Sequence, residues 1–80
     1  MKSKNISSAI ESLLDDFILV QKDITRVSDL YNIVVREAES AVIRKIMLVT
    51  YRNKTQAAKI LGISRNTLNS KIKSLKLEFN

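Results

Sequence analysis

Arg65, Asn69 and Lys73 stand four residues apart, with Asn66 and Ser70 between them. At helical spacing these five share one side of a helix, turned away from Leu68, Ile72 and Leu75. The planar guanidinium of Arg65 can bond guanine O6 and N7 together, which makes it the best base reader of the set. Thr67 and Asn69 suit base edges or phosphates, while Ser64, Lys71 and Lys73 suit phosphates. Upstream, Asn53, Lys54 and Thr55 open a shorter helical pattern whose first backbone N–H groups offer an anion a second hold. The chemistry these types support is recognition of double-stranded DNA from the start of a helix.

Such residues need a scaffold that aims them. Gly62 is the only glycine in the 80 residues, and a helical pattern lies on each side of it. Ala57, Ala58 and Leu61 precede it; Leu68, Ile72 and Leu75 follow. Two short helices around a tight turn, the second with a polar-basic face, form the pattern of a helix-turn-helix. Asn53 with Gln56 fits a capping box, Gly62 suits the left-handed stop position, and Ser64 fits the next N-cap. Ile63 and Leu68 stand at the hydrophobic-staple positions. The small Ala57 and Ala58 let the two helices cross closely. The expected helices are 54–61 and 65–76.

Two further helices are expected upstream, giving an all-α fold of four. Met1 to Asn5 is polar and is expected to stay outside the first helix, about 7–21. Ser8 and Glu11 make a capping box there, and Ile10, Leu13, Leu14, Phe17 and Ile18 supply an apolar stripe. Thr25 and Ser28 offer the next caps. The second helix, about 28–51, is the longest, and 15 of the 25 residues from Val27 to Tyr51 are apolar or aromatic. That is too many for one face of a surface helix, so most of its circumference must be covered. One short partner helix and the helix-turn-helix do not suffice; a second copy of the chain supplies the rest. Tyr31 and Tyr51 read as core or interface. The β-branched run through this segment never alternates for long and has no hairpin turn, so helix is preferred to strand.

Charge agrees with this organisation. The net charge is +6, but residues 1–40 hold five basic and seven acidic side chains, while residues 41–80 hold nine and one. The balance of +8 falls on the half that carries the helix-turn-helix, which points to a polyanion. There is no cysteine and no histidine. Disulfides, the common zinc frameworks and imidazole or thiolate catalysis are thereby excluded. The carboxylate pairs Asp15–Asp16 and Glu37–Glu39 diverge around their helices, so no catalytic dyad forms. No enzyme, cofactor or metal is expected. No apolar run reaches membrane-spanning length and no signal peptide opens the chain, which predicts a soluble, cytoplasmic product.

Residues Leu30 to Leu75, above all LYNIVVREAESAVIRKIM and NKTQAAKILGISRNTLNSKIKSL, resemble the family of the factor for inversion stimulation (Fis). The same helix-turn-helix type closes the nitrogen-regulator class of sigma-54 activators. The resemblance implies an intertwined homodimer, with recognition helices in successive major grooves of a bent duplex. The dimer interface is expected to include Leu13, Phe17, Leu30, Val34, Val42 and Ile46. Asn53, Thr55, Ser64, Arg65, Thr67, Asn69, Ser70 and Lys73 occupy the family's DNA-contact positions.

Three departures stand out. Asn69 and Ser70 replace basic residues, Arg52 replaces the glycine before the capping Asn, and Ala41 replaces a proline in the long helix. With about six residues ahead of the first helix, the recombinase-contacting arms of Fis are not expected. Activation through RNA polymerase, repression and an architectural role remain alternatives. Two rival readings stay in view: a purely protein-binding helical module, and the terminal DNA-binding domain of a larger sigma-54 activator. The starting Met1 favours a complete small protein over the latter.

Overall fold

The computed structural model describes the backbone of residues 3–79 and the side chains of residues 5–79, and there it is all-helical. Helix α1 spans Ser3–Val20, α2 Leu30–Val49, α3 Lys54–Leu61 and α4 Arg65–Ser74, with a single 3-10 turn at Ile24–Arg26.

The start of α1 corrects two expectations. Ser3 to Asn5 are helical, so Ser8 and Glu11 lie inside the helix and form no capping box at its start. Ile6 explains the extra turn, since it stands four residues before Ile10 and continues the apolar stripe backwards. Met1 and Lys2 lie outside the described residues.

Between α1 and α2, neither Thr25 nor Ser28 caps a helix. Asp23 caps the 3-10 turn, its carboxylate accepting from the Thr25 N–H at 3.1 Å. Asp29 then precedes α2 in the left-handed conformation (φ 63°), which a short polar side chain tolerates. Its carboxylate accepts from the Asn32 side-chain amide at 2.7 Å instead of capping the backbone. Past this point α2 runs unbroken through Ala41.

The ends of α2, α3 and α4 share one device. In each, the N–H two residues past the cap bonds a carbonyl in the last turn: Arg52 to Met47 at 2.7 Å, Ile63 to Ala58 at 3.0 Å, Leu77 to Ile72 at 3.0 Å. These are Schellman closures, and each needs a left-handed residue. Gly62 (φ 76°) supplies it for α3 at no steric cost. Tyr51 (φ 53°) and Lys76 (φ 56°) supply it for α2 and α4, and Arg52 is left-handed as well (φ 65°). The α2 closure is helped by Thr50, whose buried hydroxyl donates to the Ile46 carbonyl at 2.8 Å.

Ile43 and Met47 of α2, Ala57 and Ala58 of α3, Leu68 of α4 and Leu77 beyond it make up the buried core. Ile46, Leu61, Ile63, Ile72, Leu75 and Phe79 pack around it. The two alanines are almost fully buried, which brings the backbones of α3 and α4 close, and the staple pair Ile63 and Leu68 both join this cluster. The tail through Leu77 and Phe79, to which the sequence had given no role, folds back to seal the same core.

This core lies wholly in the second half of the chain. Among the described residues α1 buries no side chain. It lies instead along the first half of α2 across an open apolar groove of about 450 Å³, lined by Ile10, Leu13, Leu14 and Phe17 on one side and Leu30, Ile33 and Val34 on the other. The chain is accordingly extended, 43 × 29 × 21 Å, with a radius of gyration of 15.0 Å. A compact chain of 80 residues would have about 12 Å.

Candidate nucleic-acid interface

The interface is built from the caps outward. Asn53 uses its side-chain carbonyl on the Gln56 N–H (3.0 Å), leaving its amide group to donate outward at the start of α3. The reciprocal half of that capping box is absent, because the Asn53 N–H donates to the Thr50 carbonyl at 3.0 Å. Ser64 accepts from the Thr67 N–H (3.0 Å) and donates its own hydroxyl to Thr67 Oγ1 (2.8 Å). Its hydrogen-bonding capacity is therefore largely spent on capping α4, while the Thr67 hydroxyl proton stays free to donate.

Arg65, the first residue of α4, reaches across to α3, where its Nη1 donates to Thr55 Oγ1 at 3.3 Å. That contact joins two expected DNA-contact residues ten positions apart and holds the guanidinium over the junction of the two helices. Arg65 is otherwise exposed, and a guanidinium carries five N–H donors, so donors remain beyond the one given to Thr55.

Farther along α4, Ser70 and Lys73 are exposed and Asn69 is half-buried. Asn69 and Lys73 share a shallow cleft with Lys54, Lys76 and Glu78. Thr55 with Arg65, Ser64 with Thr67, and Asn69 with Lys73 are thus brought together in pairs, while Asn53 caps α3 and Ser70 is exposed on α4. The sequence reading missed Lys76 as part of this surface because nothing in its neighbourhood marked a left-handed turn there.

Lys71 stands apart from that set. Its ammonium meets Glu39 of α2 at 2.7 Å, the one salt bridge among the described residues. By helical angle it sits about 160° round the axis from Lys73.

Of the expected dimer residues, Leu13, Phe17, Leu30 and Val34 line the groove between α1 and α2, whereas Val42 does not and Ile46 packs against the core. Leu13 (68% exposed) and Val42 (52% exposed) face out, while Phe17, Leu30, Val34 and Ile46 are half-buried. Tyr31 and Tyr51 are exposed at 80% and 93%, so neither is core within one chain. Among the described residues no group of acidic side chains could hold a metal ion, and no helix is long and apolar enough to cross a membrane.

The family model described as bacterial regulatory protein, Fis family, matches residues 34–75, more than half of the chain. The chain belongs to the Fis family. The match takes in most of α2, all of α3 and α4, and every expected DNA-contact residue. Similar proteins include the DNA-binding protein Fis of Haemophilus influenzae, 39% identical over 71 residues, covering 89% of this chain and 71% of that one. The Fis protein of Vibrio atlanticus is 36% identical over 70 residues, 88% of this chain and 70% of its own. The DNA-binding transcriptional regulator NtrC of Azospirillum brasilense is 35% identical over 77 residues. That alignment spans 96% of this Fis-family chain but only 16% of the relative.

Proposed function

We propose that this chain is a homodimeric, sequence-preferring DNA-binding protein that bends its target and regulates transcription or organises the nucleoid. The observation that carries this reading is the outer face of the helix-turn-helix. Arg65, Thr67, Ser70 and Lys73 are exposed on α4, and Arg65 is already held over α3 by Thr55. A reading helix presented in this way enters a major groove with its first residues on base edges. Phosphates on either side fall to Lys73 and to the start of α3. Asn69 and Ser70, in place of basic residues, make the contact less electrostatic and shift the balance toward hydrogen bonding. The chain works by binding, without catalysis.

The dimer is supported by what one chain leaves uncovered. The groove between α1 and α2 is apolar and open, and the chain is far more extended than its length requires. Small folds without disulfides or metals rely on very regular helix packing or on a partner, and the open groove favours the partner. Two copies joined along this groove give two reading heads, and a duplex that must meet both is bent when they lie closer than one helical turn. Gel-shift titration on a selected site, with sedimentation of the free protein, tests the proposal. Dimers at micromolar concentration and an affinity that falls steeply with salt are expected. A monomer, or a salt-independent affinity, would overturn it.

One observation favours a second reading, that this is the DNA-binding end of a larger NtrC-like activator: the alignment with NtrC covers 96% of the chain. The size of the native polypeptide decides between them. A blot showing a band near 9 kDa supports the small regulator, and a several-fold larger one supports the activator.

A further inference from the structure

Lys71 is the one cation of α4 whose charge is already answered within the protein. Its Nζ lies 2.7 Å from Glu39 Oε2, and the two side chains are 37% and 35% exposed. Arg65, Asn69 and Lys73 follow one another around the opposite side of the helix, so a duplex lying against them is out of line with Lys71. We propose that Lys71 makes no phosphate contact and that the Glu39–Lys71 pair is a positioning strut, fixing the rotation of α4 about its own axis relative to α2. The inference rests on the DNA-binding reading given above.

The physical case turns on what else holds α4. Leu68, Ile72 and Leu75 anchor it through apolar packing, which is strong but non-directional. The caps at Ser64 and Lys76 fix its ends along the chain, and the Arg65–Thr55 bond is made by the reading residue itself. That leaves the ion pair as the one directional side-chain contact between α4 and α2. Side-chain tips lie about 6 Å from a helix axis, so a roll of about 10° moves them by about 1 Å. That already exceeds the tolerance of about 0.5 Å for a well-held binding constellation. A pair this exposed adds little to stability, so its main consequence is the aim of Arg65 and Asn69. Because α2 also borders the proposed dimer groove, the strut ties the aim of each head to the element that spaces the two heads.

Electrostatics and positioning predict opposite signs for Glu39→Gln on the selected site, and the ratio of specific to random affinity separates them for Lys71→Met. The full chain is compared with Glu39→Gln, Lys71→Met and the double variant, on a selected site and on random DNA, across a range of salt. If charge alone mattered, Glu39→Gln would tighten all DNA and Lys71→Met would weaken all DNA. The strut predicts that both single variants lower the ratio of specific to random affinity, by about three- to tenfold. The double variant should fall no further than either single, and Lys71→Met should leave the salt slope unchanged. A slope reduced by about 0.9, the value for one lost phosphate contact, would overturn the proposal. So would an unchanged ratio in both single variants, or additive losses in the double. If the unaltered chain itself does not distinguish the selected site, the DNA-reading proposal fails before any variant is made.

Discussion

Arg65 and Lys73 sit two helical turns apart on one helix, yet their settings assign them different work. Arg65 donates from Nη1 to Thr55, which ties its guanidinium to α3, and its planar fork suits discrimination between bases. Arg65→Ala should weaken the selected site by about 1–3 kcal/mol and leave random DNA much less affected, as paired titrations would show. Lys73 has no such fixture, and a point charge reads phosphates without regard to sequence. Lys73→Ala should weaken selected and random DNA alike, with the salt slope reduced by about 0.9. Equal losses on both DNAs from Arg65→Ala would remove it from the base-reading role. The sequence marks Thr55 and Arg65 separately as expected contact residues. It does not show their mutual contact, because sequence spacing places residues on faces and says nothing of how two helices cross.

At the scale of elements, the caps decide how much the sequence disclosed. The bounds of α3 were legible to the residue, since Asn53 and Gly62 carry the strongest local signals a helix can have. The ends of α2 and α4 were each read two residues long, because Tyr51 and Lys76 take the left-handed role without being glycine. For the same reason Leu77 was passed over: a chain thought to be still helical gives no hint that it turns back onto the core. A side chain in that conformation costs about 1–2 kcal/mol relative to glycine's freedom. Arg52, where family relatives are expected to have glycine, is the position at which this cost is easiest to remove. Arg52→Gly should raise the unfolding free energy by about 1 kcal/mol in urea titration, net of glycine's larger unfolded entropy. An unchanged or lower midpoint would mean that the exposed Arg52 side chain earns its place through a contact the single chain does not display.

At the scale of the whole molecule, the two halves of the chain obey different rules. The second half closes on its own core of Ile43, Met47, Ala57, Ala58, Leu68 and Leu77. The first half leaves apolar side chains such as Leu13, Ile18 and Ile33 exposed and others only half-buried, in keeping with the excess of apolar residues read in α2. Leu13 gives the sharpest test, since it is 68% exposed in a single chain. For a monomer, Leu13→Lys replaces an exposed apolar group with a solvated charge and should be neutral within about 0.5 kcal/mol. For a dimer joined at the groove, the same change buries a charge, so thermal stability should fall and sedimentation should shift toward the monomer. The unaltered chain should also melt at a temperature that rises with protein concentration, because association draws only on the folded form. The variant should lose that dependence along with its DNA affinity on paired half-sites, while keeping weak, salt-sensitive binding through each separate head.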